Sequence, residues 1–484
     1  MSVPACGGSS TELRRGTLGA ALIVFFVVSA ASPLSVIAGG FPIGIMLGNG
    51  PGTPALLVVT LAVLLLFAAG YTAMARHVTH AGGFYAIISH GLGSVAGGAS
   101  GILAMLAYNV LQAGIYGLFG TVVAGNISVA FGIDVPWWAC SLAALALIAW
   151  FGYRNVDLSA RLLAVVVIAE YLAMLLLDVA ILAKGGAQGV DFSAFQPVNV
   201  QSGTPSIGLL FCFAAFIGFE ATTLYGEEAK NPKRTIPLAT YVSVLLIGGF
   251  YTLSVWAMVV GAGSDKIVAL LQAMQDPTTF VYSLSDHYVG SWLTTAIRLL
   301  FMFSLFAGLL AFHNAAARYF FAVGRDGLLP KMLGATHRRH QSPHMGSVLQ
   351  TVIAAVILVA AALLDADPVL QLFSWFSNLA TLCLILLMAM TSLAVVGFFR
   401  KHPELEASRL SRLYLPLVSG AALFGVWGLA LLHFDVLTGA SSQISYGLCA
   451  AIPVALMVGM LLASRQKQRS RPRRTVRGLS NSSA

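Results

Sequence analysis

The sequence predicts an all-helical (all-α) integral membrane protein in which twelve transmembrane helices form one bundle, with helices 1 and 6 broken. Hydrophobic residues make up 58% of the 484 residues and charged residues only 9%, whereas a soluble domain has about 25% charged residues. Apolar stretches of roughly 20 residues, the length that a bilayer core of about 30 Å requires, recur along the chain. We number these stretches as spans 1 to 12: 17–47, 54–76, 95–127, 136–152, 160–183, 206–227, 237–261, 290–323, 345–364, 369–398, 413–433 and 444–463.

Span 6 contains a glycine and a carboxylate near its middle, at Gly218 and Glu220. Glycine weakens a helix by about 1 kcal/mol relative to alanine, and an ionised glutamate at membrane depth costs at least about 2.5 kcal/mol. A helix that faces lipid would gain nothing from either residue. A helix that breaks and lines a polar cavity accounts for both, because bare backbone groups are tolerated only in such a place.

Span 1 is interrupted at the matching position of the first half of the chain. Pro33 removes a backbone donor and clashes with the preceding turn, and a simple proline kink is the alternative interpretation. Spans 1 and 6 each begin a five-helix repeat, 17–183 and 206–398. Interruptions at equivalent positions of two halves indicate a binding site near the membrane midplane.

Four further polar residues lie inside the spans. Asn109 and Gln112 of span 3 share one helix face, and either substrate contact or interhelical hydrogen bonding, worth about 0.6 kcal/mol per contact, explains them. Glu170 lies near the middle of span 5, where an ionisable group is a functional candidate by default. A protonated glutamate without a role in transport is the alternative. Asp178 lies nearer the end of this span, where we expect it to contact water.

The distribution of basic residues predicts the orientation. All but three of the 27 Lys and Arg residues, the exceptions being Lys184, Lys266 and Arg298, fall on one side if both termini are cytoplasmic. This is the positive-inside pattern. We therefore expect a multi-pass protein of the inner (plasma) membrane of the cell.

Three segments lie outside the two repeats. Residues 1–16 are predicted to form a cytoplasmic N-terminus, and 413–463 the peripheral helices 11 and 12. Residues 464–484 are basic and too polar to fold, so they are predicted to be a disordered cytoplasmic tail. Such a tail would be attracted to anionic membrane lipids.

The composition also argues against other classes of function. The basic residues behind the net charge of +9 are explained by the orientation of the protein in the membrane. The charge therefore gives no reason to expect a nucleic-acid partner. The five cysteines have no metal-ligand spacing, so we expect no metal, no cofactor and no catalytic residue. A channel would need a filter loop, an enzyme a set of convergent polar groups, and a receptor a sizeable soluble domain. The sequence suggests none of these.

Three motifs resemble the amino acid–polyamine–organocation (APC) permeases. The stretches 216–220 (Phe-Ile-Gly-Phe-Glu) and 227–237 are similar to that family's Gly-Phe-Glu and Glu-x-x-x-Asn-Pro signature at its sixth helix. The stretches 81–85 after span 2 and 325–330 after span 8 match as well. The resemblance covers nearly the whole chain. It implies a five-plus-five inverted repeat (LeuT-like) with the substrate between the breaks of helices 1 and 6.

The resemblance also implies the ligands of the substrate. In such permeases the carboxylate of an amino acid meets backbone amides of helix 1, and its ammonium meets carbonyls of both broken helices. Half-helix N-termini, with their unpaired N–H groups, suit an anion independently of the resemblance. Helix 1 has Ala-Ser-Pro where the family commonly has a Gly-Ser-Gly-type break, so a substrate without a carboxylate stays open. The candidate residues are Ala31, Ser32, Pro33, Leu34, Ser35, Phe216, Ile217, Gly218 and Phe219.

Our hypothesis from the sequence is a secondary active transporter (permease) that moves amino acids by alternating access. Protons are the favoured coupling ion, in symport, with Glu220 as the first candidate carrier and Glu170 as the second. Sodium coupling, amino acid exchange, and transport of polyamines or ethanolamine-type amines are the alternatives. A cationic substrate should need acidic groups in the pocket, and Glu220 is the one evident candidate.

Overall fold

The computed structural model describes Gly16 and residues 18–78, 82–154, 160–226, 228–336, 343–405 and 407–470. Within these ranges eleven helices are long and apolar enough to cross a membrane. No strand occurs in them apart from one isolated parallel bridge between Leu18 and Ala229. The all-helical membrane class is thus confirmed for the described part of the chain. Residues 1–15 of the predicted N-terminus and 471–484 of the predicted tail lie outside it.

Helices occupy all twelve predicted positions, and we keep the span numbers as labels. Span 4 is not among the eleven long helices, because its apolar helix, Trp137–Tyr153, is shorter than 18 residues. Short helices connect the spans at Gly83–Leu92, Pro197–Val200, Ile267–Ala273, Phe280–Tyr288 and Phe434–Thr438. The bounds of the spans are Ala20–Ala31 and Phe41–Leu47 (span 1), Thr53–Ala75 (2), Ser94–Phe131 (3), Trp137–Arg154 (4), Ala160–Ala183 (5), Pro205–Ala214 and Phe219–Tyr225 (6), Pro232–Ala262 (7), Ser291–Arg325 (8), His344–Leu363 (9), Phe376–Lys401 (10), Leu415–Leu432 (11) and Ser442–Ser470 (12).

Spans 1 and 6 are both interrupted, as predicted. Span 1 stops at Ala31 and resumes after Ser32, and its second part contains a π-helical segment, Ser35–Gly40. Span 6 stops at Ala214 and continues as a 3₁₀ helix from Phe219. Span 10 also begins with a π-helical segment, Pro368–Trp375. Irregular helical turns of this kind are frequent at functional sites.

Span 3, with 38 residues, is the longest helix and lies in the interior of the bundle. It packs against spans 4, 8, 10 and 12. Spans 9, 11 and 12 leave most of their apolar residues on the outer surface. An apolar surface of this kind is what a bilayer requires of a spanning helix.

Small residues allow the second part of span 1 to cross the first part of span 6 closely. A side chain at Gly44 would collide with the ring of Phe211. A Cβ atom at Gly48 would lie 2.4 Å from the carbonyl oxygen of Gly44 and 2.8 Å from the Cα atom of Gly208. Close backbone approach at small residues is how membrane helices gain packing energy when lipid is as apolar as their side chains.

We call the end of the bundle at which span 1 begins the N-terminal face. There the chain just before span 1 pairs with the segment after span 6. The amide of Leu18 donates to Glu228 O at 3.0 Å, and the amide of Lys230 donates to Leu18 O at 2.8 Å. Span 7 therefore begins at this face and ends at the opposite one. The amide of Ala187 donates to Val260 O at 3.0 Å, so span 5 also ends at the opposite face.

Two sequence expectations differ from the structure. The helix of span 12 continues to Ser470, beyond the predicted start of a disordered tail at 464. Asp178, expected to contact water, is only 1% exposed. Its side chain faces span 7, where the hydroxyl of Ser254 donates to it. The sequence shows how far along its helix Asp178 lies, but not which side of that helix packs against other spans. The burial of Asp178 could therefore not be predicted.

We expect Gly48→Ala to lower the thermal stability of the purified protein in detergent. The added methyl group meets backbone atoms on two sides, and overpacking of this kind costs about 1–3 kcal/mol. The matched control is Gly425→Ala in span 11, where a Cβ atom meets nothing within 4 Å. The control should be neutral or slightly stabilising, since alanine favours a helix. Equal melting temperatures for the two variants would contradict the close crossing.

Candidate functional site

A cavity with an empty volume of about 680 Å³ lies between the two breaks. This volume includes space that is open to solvent. Spans 1, 3, 6, 8 and 10 form its wall. The lining residues are Ala30, Ala31, Ser32, Ser35, Val36, Gly40, Phe41, Leu111, Ile115, Phe211, Ala214, Ala215, Ile217, Leu305, Phe312, Phe373, Ser377 and Asn378.

The break of span 1 is centred on Ser32, a non-glycine residue with φ 46°. A left-handed backbone at such a residue costs energy, which a structure tolerates where the surroundings enforce it. The Ser32 hydroxyl donates to Ser29 O at 3.2 Å, and this bond helps to hold the turn. Gly308 of span 8 leaves space for it, because a Cβ atom there would lie 2.3 Å from Ser32 Oγ. Pro33 then opens the second part of the helix, where its missing N–H is not needed.

The break of span 6 is centred on Gly218, with φ 112°, a conformation that favours glycine. The Glu220 carboxylate holds this turn, since its Oε2 accepts the amide of Gly218 at 2.9 Å. Its Oε1 accepts the hydroxyl of Tyr108 in span 3 at 2.6 Å. Both carboxylate oxygens of this buried side chain are therefore engaged by donors of the protein.

A tyrosine hydroxyl covers a carbonyl at each break. Tyr251 of span 7 donates to Ala31 O at 3.2 Å. Tyr71 of span 2 donates to Glu220 O at 2.9 Å, and its oxygen lies 2.5 Å from Thr223 Oγ1. Backbone groups that a broken helix leaves bare in the membrane are thus satisfied by neighbouring spans.

Glu170 of span 5 lies behind the break of span 1. Its Oε2 accepts the amide of Leu34 at 3.4 Å and the hydroxyl of Ser304 in span 8 at 2.8 Å. A carboxylate at a helix start complements the partial positive charge there. Glu170 therefore joins three spans at the resumed end of span 1.

The predicted substrate residues separate into two groups. Ala31, Ser32, Ser35 and Ile217 lie at the cavity wall, whereas Pro33, Leu34, Phe216, Gly218 and Phe219 do not. The reason is local: the irregular backbone of each break directs neighbouring side chains to different sides. Phe219, for example, packs edge-on against Phe67 of span 2.

Asn109 and Gln112 do not line the cavity, so the structure gives no support to substrate contact by them. Asn109 donates back to Met105 O in its own helix at 2.7 Å. Gln112 accepts a hydrogen bond from Gln350 of span 9 and lies 3.4 Å from the ring nitrogen Nδ1 of His313. For Gln112 these contacts are the interhelical hydrogen bonding that the sequence left as the alternative, whereas the Asn109 bond lies within its own helix.

Span 10 contributes wall residues that the candidate set from the sequence did not include. Ser377 and Asn378 lie at the cavity, directly after the π-helical segment. Within the described residues, Ser377 Oγ, Asn378 Oδ1 and Ser35 Oγ are buried without a hydrogen-bond partner. Buried polar atoms of this kind cost about 1–3 kcal/mol each unless something satisfies them. The spacing of polar residues in span 10 was visible in the sequence, but it did not show which way they face.

The polarity of the cavity comes from backbone and neutral groups. No Asp, Glu, Lys, Arg or His is among its lining residues. In the described part of the chain, the carbonyl oxygens of Ala215 and Ile217, both at the wall, accept no hydrogen bond. No group of three or more His, Cys, Asp or Glu residues suited to a metal occurs among the described residues.

On the N-terminal face an ion pair links span 8 to the segment after span 6. Arg318 of span 8 meets Glu228 at 2.8 Å, and its guanidinium lies 5.1 Å from the centre of the Tyr225 ring. Together with the Leu18–Ala229 bridge, these contacts tie the ends of spans 1, 6 and 8 to one another.

Comparison with known proteins gives a family for this architecture. Residues 16–463 match the family model described as "Amino acid permease". The branched-chain amino acid permease BcaP of Bacillus subtilis is 24% identical, over 74% of this chain and 75% of the relative. The low-affinity putrescine importer PlaP of Escherichia coli is 22% identical, over 87% and 89%. The cationic amino acid transporter 4 of Homo sapiens is 29% identical, over 46% and 32%. The chain covers only 32–60% of the length of some curated relatives that it matches.

We expect Gly218→Ala to destabilise the protein and to disturb the cavity. Alanine at φ 112° is strained by about 1–2 kcal/mol, and its Cβ atom would approach that of Ala30 to 3.3 Å. The matched control is Gly249→Ala in span 7, where a Cβ atom meets nothing within 4 Å. Thermal unfolding of both variants checks this expectation. A melting temperature of the Gly218 variant equal to that of the control would refute the strained turn.

Proposed function

The chain belongs to the amino acid permease family, and on that premise we propose that it is a secondary transporter for neutral α-amino acids. Family and relatives make it a multi-pass membrane transporter rather than an enzyme, with an amino acid or an amine as its substrate. One observation carries the finer proposal: the cavity between the two breaks is lined by backbone, apolar and neutral polar groups, without a charged side chain.

The two ends of a zwitterion match the two breaks. A helix start leaves its first N–H groups without an intrahelical acceptor, and Ser35 lies in that first turn at the cavity. We propose that its N–H binds the substrate carboxylate, with the helix dipole favouring the negative charge. The bare carbonyls of Ala215 and Ile217 then accept the substrate ammonium. The apolar wall of Leu111, Ile115 and their neighbours holds the side chain.

The same wall argues against a diamine or a cationic amino acid. An extra ammonium group in the cavity would have no carboxylate to pair with, and burying an unpaired charge is expensive. Glu220, the acidic group that the sequence offered, has both oxygens engaged and does not line the cavity. Amine transport, which the name of one relative indicates for that relative, is therefore the second candidate.

Transport by alternating access is part of the proposal. The contacts of Arg318, Glu228 and Leu18 on the N-terminal face would have to open for substrate to pass there. We propose that this face is cytoplasmic, because basic residues accumulate on it. We also propose the twelve-helix count and the inverted five-plus-five repeat, in which one helix group rocks against the other around the site.

Proton coupling is proposed for Glu220 and Glu170. Each carboxyl is buried, belongs to a hydrogen-bond network at a break, and has no cationic partner among the described residues. Binding a proton would weaken the bond that the carboxylate accepts from the backbone, and so change the break itself. Sodium coupling and amino acid exchange are the alternatives.

We expect neutral apolar amino acids such as L-leucine and L-valine to raise the melting temperature of the purified protein, because a bound ligand stabilises by mass action. Putrescine and L-arginine should have no effect at the same concentration. Leu111→Trp should abolish the shift by filling the cavity, whereas Leu172→Trp, at an exposed position of span 5, should keep it. Stabilisation by putrescine alone would favour the amine alternative.

We expect Glu220→Gln to lose accumulation driven by a pH gradient in proteoliposomes. Glutamine keeps the size of the side chain and one of its two accepting oxygens, but it binds no proton. Glu404→Gln, at an exposed position, is the control and should accumulate substrate like the unmodified protein. Full accumulation by the Glu220 variant would remove this residue from proton coupling.

A further inference from the structure

Span 5 carries a second buried carboxylate, Asp178, on the same buried side of the helix as Glu170. Glu170, Met174, Leu177 and Asp178 are all at most 1% exposed and form a stripe along the helix. The two carboxyls are eight positions apart, about 12 Å along the helix axis. Neither lines the cavity. Span 5 therefore holds two acidic groups inside the protein and outside the cavity.

Asp178 is only partly satisfied. Its Oδ2 accepts the hydroxyl of Ser254 in span 7 at 2.6 Å. Its Oδ1 is buried and has no hydrogen-bond partner within the described residues. An ionised carboxylate buried without a cation costs several kcal/mol. A carboxyl group that serves only as a hydrogen-bond acceptor would be an expensive choice at this position, because a neutral amide could fill the same role.

The elements packed against span 5 offer no cation for Asp178 in the described part of the chain. They are spans 1, 7 and 8 and the short helix Phe280–Tyr288. The first part of span 1 has no titratable side chain. Span 7 presents Tyr251, whose hydroxyl is bound to Ala31 O. Span 8 presents Ser304 and Arg298, the latter stacked 4.2 Å over the ring of Tyr282.

The short helix contributes three further titratable groups. Tyr288 donates its hydroxyl to Gly261 O at 2.8 Å. Asp286 accepts a hydrogen bond from the hydroxyl of Thr294. His287 packs edge-on against the ring of Tyr288. None of these groups forms an ion pair with Asp178 among the described residues.

Asp178 lies towards the opposite face of the bundle. It lies in the last two turns of span 5, which ends at Ala183 beside the end of span 7. Glu170 lies deeper, against the amide of Leu34 at the break of span 1. Along span 5, a proton arriving from the opposite face would reach Asp178 before Glu170. Chains of buried acidic groups are how pumps and transporters move protons.

We propose that Asp178 is a proton-binding residue that supplies Glu170 from the outer side of the membrane, along a route separate from the substrate cavity. Hydronium in the outer solution gives a proton to Asp178 Oδ1, which forms an O–H bond and leaves water. Asp178 then gives up this proton and becomes ionised again. Because Glu170 lies about 12 Å away along the helix, the proton reaches its carboxylate through water molecules rather than by direct contact. The proposal rests on the proposed function, since it takes the transport to be proton-coupled and the opposite face to be outer.

The test compares two transport modes in proteoliposomes, with L-leucine as substrate. Accumulation driven by an inward pH gradient needs net proton movement, which a pH-sensitive dye inside the vesicles reports. Counterflow at equal pH exchanges substrate and needs no net proton movement. We expect Asp178→Asn, which keeps the accepting oxygen for Ser254, to lose at least tenfold in accumulation and to lose proton influx. Counterflow should continue.

Two further variants distinguish proton binding from a structural role. Asp178→Glu should restore accumulation to within about threefold of the unmodified protein, because it restores a carboxyl group. Ser254→Ala keeps the carboxyl but removes its partner, and should shift the external pH of half-maximal uptake without changing counterflow. If Asp178→Asn does not reach the membrane, Ser254→Ala serves as the test in its place. Asp134→Asn, on an exposed residue, is the control for the substitution itself.

Several outcomes would overturn the proposal. Unchanged accumulation and proton influx in Asp178→Asn, or an unshifted pH profile in Ser254→Ala, would remove Asp178 from the proton route. Equal losses of accumulation and counterflow would assign it a structural role. Absence of counterflow with any amino acid in the unmodified protein would instead contradict the proposed substrate. Counterflow without proton-driven accumulation would leave amino acid transport standing and remove proton coupling, and this inference with it.

Discussion

Everything at the site depends on one constraint: a backbone group inside a membrane must have a partner. Two helices stop within the bundle, and each exposes amides and carbonyls that lipid cannot satisfy. The protein covers some of them with side chains, namely Glu170 on Leu34 and Glu220 on Gly218. Ala215 and Ile217, whose carbonyls accept no hydrogen bond in the described part of the chain, are lining residues of the cavity. The candidate site is therefore the part of the two breaks where backbone groups have no hydrogen-bond partner within the protein.

The two tyrosines that cover carbonyls at the breaks are arranged symmetrically, and this arrangement bears on the architecture. Tyr71 of the second span covers a carbonyl at the break of span 6, and Tyr251 of the seventh covers one at the break of span 1. In the proposed five-plus-five repeat, spans 2 and 7 would be equivalent members, and each would cover a carbonyl of the broken helix of the other repeat. An exchange of this kind is what an inverted repeat would produce, and it supports the proposed arrangement from side-chain contacts alone.

The sequence predicted where the helices break but not which neighbours face the cavity. Ser32-Pro33 and Gly218 disturb a helix by their own covalent structure, so their effect can be predicted from the sequence without knowing the fold. Gln112 is different, because a polar side chain in a helix meets whichever span packs on that side, and here it meets Gln350 and His313. For the same reason the polar residues of span 10 were visible in the sequence, while their role in the cavity wall was not.

In the proposed function, a site made of backbone groups would also separate recognition of the substrate from proton coupling. Backbone dipoles at helix ends can bind both ends of a zwitterion, and side chains need not supply any charge there. The wall, which includes Leu111 and Asn378, would then select the substrate by shape and polarity. The acidic groups are left free for another task, and Glu170, Asp178 and Glu220 all lie outside the cavity, in networks that reach the breaks or the spans beside them. Because Glu170 and Glu220 bond directly to the backbone of the breaks, a proton bound by either would act on substrate through the shape of the broken helix rather than by contact.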